Sequence, residues 1–208
     1  MSNNRKSQRG RGQRGFSLLE MLTVIAIIMI LSAMAVISIN GTLPQQQATA
    51  GVNAAEAVFR QGRDAAISQR RAYQLVAGAA PVAANQLQLS RIEIGGTFTA
   101  LPIVTLPAPA TFMLYNGIPD TPDGYGTCSS GICFPGSSGV QQWVSDGTFI
   151  DGGSGQPLNG TMFIAVPGSS PSDLRYVGTQ RAFTILGTTG RIRAYKWTGG
   201  AACCWVLE

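Results

Sequence analysis

The sequence predicts an α+β protein in which one long N-terminal helix packs on an antiparallel β-sheet head. Three observations carry this expectation. From residue 16 to residue 39 the chain is free of charge apart from Glu20, a run of 24 residues. At about 1.5 Å per residue, a helix of that length crosses a hydrocarbon core of about 30 Å. From residue 45 to about residue 76 the period becomes that of a packed helix, with Val52, Ala55, Phe59, Gly62, Ala66 and Tyr73 on one stripe of mostly small side chains. Beyond about Val82 short alternating segments are separated by glycine and proline, the pattern of strands. A helix followed by a series of strands buries its apolar stripe against their sheet.

Four segments follow in order: a polar, basic leader at 1–15; a transmembrane first half of the helix at 16–40; an amphipathic second half at 41–76; and a β-rich head at 77–208. Asn40, Gly41 and Pro44 interrupt the helix pattern. Proline disfavours helix at the residue before it and kinks a helix it enters, so a bend or a brief melted turn is expected there. The outer face of the second half carries Glu56, Arg60, Arg63, Asp64, Arg70 and Arg71. Glu56 with Arg60, and Arg60 with Asp64, are spaced as helix-surface ion pairs, each worth about 0.2–0.5 kcal/mol. This face reads either as a solvated, ion-paired surface or as a contact surface for neighbouring subunits.

In the head, Leu87 and Leu89 alternate with Gln86 and Gln88, and Ile92 and Ile94 flank Glu93 before Gly95 and Gly96. Residues 101–106 and 111–115 read as further strands separated by Pro107 and Pro109. Residues 116–139, rich in Gly, Pro, Ser and Asp, read as a long surface loop. Strands are expected again at 141–144, 148–150, 161–166, 181–186 and 191–197.

The chain carries 15 basic and 10 acidic residues, net +5. The whole excess lies in the leader, at Arg5, Lys6, Arg9, Arg11 and Arg14, so the rest is neutral and the net charge does not itself indicate nucleic-acid binding. Basic residues before an apolar run hold that end in the cytoplasm, which places the head across the membrane. Four cysteines suit the oxidising compartment found there. The chain has no histidine, which rules out Ser-His-Asp and Cys-His catalysis and histidine-ligated metals.

The apolar run differs from a secretory signal, whose apolar stretch of about 7–15 residues precedes a small-residue cleavage site. Here the run is longer and the small residue, Gly15, comes first. A cut after Gly15 discards the leader, keeps the helix and places Glu20 one helical turn from a new ammonium group on Phe16. A carboxylate in a membrane helix costs about 2.5–3.5 kcal/mol on insertion scales, so it tends to be paired and functional. The order basic leader, Gly15, Phe16, Ser-Leu-Leu-Glu20 and apolar helix resembles the class III signal of type IV pilins and type II secretion pseudopilins. The resemblance implies cleavage between Gly15 and Phe16 by a prepilin peptidase, N-methylation of Phe16, and neutralisation by Glu20 of the amino terminus of a neighbouring subunit. The plainer alternative is a single-pass anchor whose Glu20 snorkels to the interface.

Val144-Ser-Asp-Gly-Thr, Asn159-Gly-Thr-Met-Phe-Ile and Arg181-Ala-Phe-Thr-Ile-Leu-Gly-Thr-Thr-Gly-Arg-Ile-Arg resemble the C-terminal half of the GspH/FimT family of pseudopilins and minor pilins. That likeness implies the pilin fold. In the hairpin from Arg181 to Trp197, period-two alternation puts Ile192 and Ala194 inward and Arg191, Arg193, Tyr195 and Trp197 on the opposite, exposed face, with Lys196 inward unless the strand twists. Arg175, Arg181, Arg191, Arg193 and Lys196 make a local +5 without an acid between residues 174 and 207. Arginines on phosphates and aromatic rings on bases are the means of nonspecific DNA binders. Gly190, Arg191 and Arg193 match the Gly-Arg-x-Arg motif associated with DNA binding in the FimT branch of the family. With Lys196 they form the candidate DNA-binding set. The alternative is a solvated edge strand protected by its charges.

Cys128 and Cys133 close a six-residue loop, for which an oxidising compartment favours a disulfide worth about 2 kcal/mol. The adjacent Cys203 and Cys204 either bridge each other or each reach that loop. Four cysteines allow three pairings, of which Cys128 with Cys133 is the expected one; a four-thiolate zinc site is the alternative. Asp120, Asp123, Asp146 and Asp151 read as turn residues, with no calcium-loop spacing. Trp143, Trp197 and Trp205 read as core or groove residues. No metal and no cofactor are expected.

These readings converge on a non-enzymatic, single-pass inner-membrane protein with a cytoplasmic N-terminus and a periplasmic head. The expected role is that of a minor pilin of a type IV pilus with a part in DNA uptake. Its partners would be other pilins or pseudopilins in a helical filament, the prepilin peptidase, the inner membrane and DNA. A pseudopilin of a type II secretion system is the alternative. A membrane-tethered enzyme domain is a third reading and would need a concave site with convergent titratable groups.

Overall fold

The computed structural model describes residues 16–170, 173, 176–199 and 205–208, with the backbone alone for 35–41. The chain forms two compact units, residues 1–41 and residues 42–208.

Helix α1 (Leu18–Gln69) contains Pro44 and stays helical through Asn40, Gly41 and Pro44, so the expected melted turn is absent. Proline withholds one backbone donor, and the good helix formers Gln45, Gln46, Gln47 and Ala48 carry the pattern onward. In the first unit, every described side chain from Phe16 to Met34 is exposed.

In the second unit α1 stops at Gln69, short of the expected residue 76. Arg70 adopts φ 50°, and the Arg71 N–H bonds back to the Ala66 carbonyl at 3.2 Å. This is the Schellman closure of a helix, with arginine in the left-handed position that glycine usually takes. Tyr73, expected on the helix stripe, instead opens strand β1 (Tyr73–Ala77). The strands that follow are β2 (Gln86–Ile92), β3 (Phe98–Ala100), β4 (Val104–Thr105), β5 (Thr111–Phe112), β6 (Ile132–Cys133), β7 (Gln141–Trp143), β8 (Phe149–Asp151), β9 (Gly160–Ala165), β10 (Arg181–Leu186), β11 (Arg191–Trp197) and β12 (Trp205–Leu207). The strands expected at 101–106 and 111–115 shrink to β4 and β5, and β6 interrupts the expected loop at 116–139.

All pairings are antiparallel. One sheet runs β3-β2-β1-β7-β8, with β4 also on β2; the other runs β12-β11-β10-β9-β5, with β6 also on β9. One core joins α1 to both sheets: Val52, Ala55, Val58, Phe59 and Ala66 meet Leu75, Leu87, Trp143 and Phe149 of the first and Met162, Ile164, Phe183 and Ile185 of the second. Phe59 sits at the centre, edge-on to Phe183 at 5.0 Å and tilted to Phe149 at 5.9 Å. The small residues of the stripe allow this close approach: a Cβ on Gly62 would come within 2.8 Å of Trp143 Cδ1 and 3.0 Å of Leu89 Cδ2.

The second sheet is covered on its other face as well. There Tyr115, Ile118, Ala165 and Trp197 form a smaller core with Trp205 and Met113. The Tyr115 hydroxyl donates to the Val166 carbonyl at 2.6 Å, tying the 113–118 segment down.

Candidate functional site

Two regions hold the residues singled out from the sequence. The first is the N-terminal run. Gly15 lies outside the described residues; Phe16 is 74% exposed, and Glu20 stands in the first turn of α1. A carboxylate there is favoured by the positive end of the helix dipole. Among the described residues no cation pairs with Glu20. The Ile, Leu, Val and Met side chains through Met34 are open to the surroundings on all sides of the helix. Among the described residues no helix is long and apolar enough to cross a membrane. The described side chains of the 16–39 run end at Met34, which leaves its last five residues out of that length.

The second region is the β10–β11 hairpin and the helix beside it. The turn closes with the Gly190 N–H on the Leu186 carbonyl at 2.8 Å, and Gly190 takes φ 62°. A Cβ there would strike the Gly147 carbonyl and lie 2.8 Å from both Arg63 Nε and Trp143 Cζ3. Gly190 is therefore required by packing. Arg63, read from the sequence as part of the helix's outer face, is half-buried and donates to the Gly147 carbonyl (3.3 Å) and the Thr189 carbonyl (3.1 Å), tying two turns to the helix. Glu56 and Arg60 pair at 2.6 Å, whereas no Arg60–Asp64 pair forms among the described residues. Arg60, Arg63, Asp64 and Arg191 border an open groove of about 640 Å³.

Alternation along β11 holds for Ile192 and Ala194, which pack on the main core. On the opposite face Tyr195 and Trp197 are buried, not exposed as expected, because the 113–125 segment and β12 cover them. Trp197 stands edge-on to Trp205 at 5.4 Å. Arg193 pairs with Asp123 at 3.0 Å. Asp123 also accepts hydrogen bonds from Thr184 Oγ1 (2.5 Å) and the Tyr195 hydroxyl (2.9 Å); it stands in a turn as expected, closed by the Gly124 N–H on the Thr121 carbonyl at 2.9 Å, and its side chain serves in addition as a clamp. Burial pushes this carboxyl up, but the bonds from Thr184 and Tyr195 and the charge of Arg193 outweigh it, leaving it below the usual carboxylate range.

The apparent +5 cluster is thereby divided. Arg181 is 1% exposed and paired with Glu208 at 3.3 Å. Arg193 is held by Asp123, Arg191 is exposed on the groove side, and Lys196 shares the helix-facing side with Arg181. Arg175 lies outside the described residues. Spacing along the chain could not show this, since Asp123 and Glu208 lie outside the window that looked free of acid.

Cys128 and Cys133 form a disulfide, and Cys133 is buried at 1% exposure. Cys203 and Cys204 lie outside the described residues. Asp146 is a turn residue as expected, accepting from the Thr148 N–H and hydroxyl; Asp120 stands just before the 121–124 turn and accepts from the Gly126 N–H, and Asp151, 3% exposed, instead ends β8 and accepts from Ser138 and the Ser154 N–H. Ser138 and Ser154 hold Asp151 well below the usual carboxylate range. Among the described residues no group of three or more Cys, Asp or Glu side chains is placed to hold a metal ion.

Residues 10–36 match the prokaryotic N-terminal methylation motif, so the chain carries a prepilin-type signal. Two solved structures, both of the minor pseudopilin EpsH from the type II secretion system of Vibrio cholerae, show a distant likeness. One is 15% identical and covers 74% of this chain and 99% of its own, with a TM-score of 0.44. The other is 13% identical and covers 70% and 92%, with a TM-score of 0.38. No curated protein sequence matches the chain.

Proposed function

We propose that this chain is a minor pilin-like subunit of a type IV pilus that assembles through its N-terminal helix. The observation that carries the reading is the prepilin-type run itself: a helix apolar on every side, exposed from Phe16 to Met34, with one carboxylate at Glu20. A helix that is hydrophobic all round requires an apolar environment, which a membrane supplies before assembly and a bundle of like helices after it. A prepilin peptidase cuts between Gly15 and Phe16, Phe16 is N-methylated, and Glu20 neutralises the ammonium of an adjacent subunit. The chain sits singly in the inner membrane with its head in the periplasm until neighbouring pilins take it into the filament. It performs no chemistry on a substrate.

Mass spectrometry of the chain from cells with and without the peptidase tests the processing step. The account expects an N-methylated Phe16 terminus only when the peptidase is present; retention of the 1–15 leader in both would contradict it. Deletion followed by separate twitching, transformation and secretion assays tests the system: loss of secretion alone would assign the chain to a type II pseudopilus instead.

Exposure of Arg191 on a groove shared with Arg60 and Arg63 supports DNA contact as a further role. Of the Gly190, Arg191, Arg193 and Lys196 set, Arg191 carries this reading, since Gly190 serves packing, Arg193 is paired and Lys196 faces the other way. Gel shifts with the purified protein should show salt-sensitive binding that weakens in Arg191→Ala. Equal binding in the Arg191→Ala, Arg193→Ala double variant would exclude the hairpin.

A further inference from the structure

The two sheets differ in what lies over their outer faces. That of the second is closed by the 113–118 segment and Trp205, whereas among the described residues no core cluster forms on that of the first. Tyr73, Leu75, Leu87, Leu89, Trp143 and Phe149 of the first sheet point into the core, so period two turns their strand neighbours outward. The register then sets Ala100, Ser90, Gln74, Gln142 and Ile150 in one row across β3, β2, β1, β7 and β8. Phe98 stands opposite Ile92 on the same face and is 58% exposed. No outward position on these strands is charged: Arg91 and Asp151 belong to the other face, opposite Tyr73 and Gln141. Gln74 and Gln142, directly opposite each other, are half-buried, and among the described residues neither amide has a hydrogen-bonding partner. Gln88 uses its Nε2 on the Leu101 carbonyl at 2.9 Å, and its Oε1 accepts nothing among the described residues.

We propose that this face binds a neutral oligosaccharide lying across the strands. A half-buried amide that has lost part of its hydration and found no partner gains from a ligand that both donates and accepts, and sugar hydroxyls do both. The lack of charge sets other polar polymers aside: nucleic acids and acidic polysaccharides call for cations, and a charged peptide for the opposite charge. Protein interfaces centre on a desolvated cluster of aromatic side chains, Met and Arg, and this face has only Phe98 and Ile92, at one end. An exposed phenyl ring at the margin of a plane of amides is instead a platform for the apolar C–H face of a pyranose ring. Strands about 4.8 Å apart make the row about 19 Å wide, and Phe98 lies about 12 Å from Gln74, two strands across and two residues along. Both lengths exceed one sugar ring, which is why the ligand is an oligosaccharide. The site is separate from Arg191, which belongs to the second sheet.

Titration calorimetry tests this, with the full-length protein in lauryldimethylamine oxide, a detergent without sugar, and with cellohexaose, chitohexaose, maltohexaose and mannohexaose as probes. At least one should bind, and roughly tenfold more salt should leave its affinity unchanged, since no ion pair forms. Gln74→Ala, Gln142→Ala and Phe98→Ala should each weaken that binding by about fivefold, the effect of one lost hydrogen bond or ring contact. Arg191→Gln should leave it as it is. Binding of none of the four probes, an affinity that falls with salt, or binding that survives the three substitutions together would overturn the assignment. Self-association in the same detergent that Phe98→Ala abolishes would overturn it too, giving the face to a second copy of the chain.

Discussion

Asp123 shows how a single side chain decides the character of a surface. Its carboxylate collects Thr184, Arg193 and Tyr195 from two strands and fastens the 113–125 segment over them. Its folded-state pKa lies below the ordinary value near 4, so its stabilising effect is complete above that value and is lost as pH falls through the folded pKa. Thermal melts across pH 2–6 should therefore show a shallower acid loss of stability in Asp123→Asn than in the parent, from a lower starting value at pH 6. Parallel curves would show that the clamp is energetically silent. The sequence showed Asp123 as a turn residue, which it is, but not as a clamp, because its side-chain partners lie 61 to 72 residues away. Gly62 was legible as a stripe residue, though the depth of the helix–sheet approach was not. Gly62→Val drives a branched side chain into Trp143 and Leu89 and should cost about 1–3 kcal/mol in a denaturant titration.

Among the elements, α1 and the long strands followed their periods, and the differences arose where period carries no information. The end of α1 has no glycine signal, since Arg70 occupies the left-handed position itself. That conformation costs an ordinary residue about 1–2 kcal/mol, and glycine relieves it while adding freedom to the unfolded chain. Arg70→Gly should accordingly raise the stability by about 0.5 kcal/mol, measured as a rise in Tm. A fall in Tm would mean that the Arg70 side chain contributes more than its backbone costs. Strands β3, β6 and β12 are two or three residues long, too short for alternation to declare them, and β4 and β5 are shorter than the strands expected at 101–106 and 111–115. On β11 alternation identified Ile192 and Ala194 correctly. It misplaced Tyr195 and Trp197 because period two tells faces apart without saying which are covered, and both faces of this sheet are.

At the scale of the whole molecule, the sequence is most informative where the structure has least to add. Gly15, Phe16, Glu20 and the run behind them form a pattern legible by order and spacing alone, and residues 10–36 match the N-terminal methylation motif. The head was legible as α+β, but its basic cluster was not legible as a set of paired and opposed charges, because pairing depends on which distant segments the fold brings together. The account's central claim is that Glu20 serves assembly rather than folding or insertion. It is tested by expressing Glu20→Ala in a filament-forming host that lacks the native chain. Processing, membrane fractionation and recovery in sheared filaments are then measured side by side. The account predicts a cleaved, membrane-inserted variant that is absent from the filaments; incorporation at the parental level would contradict it.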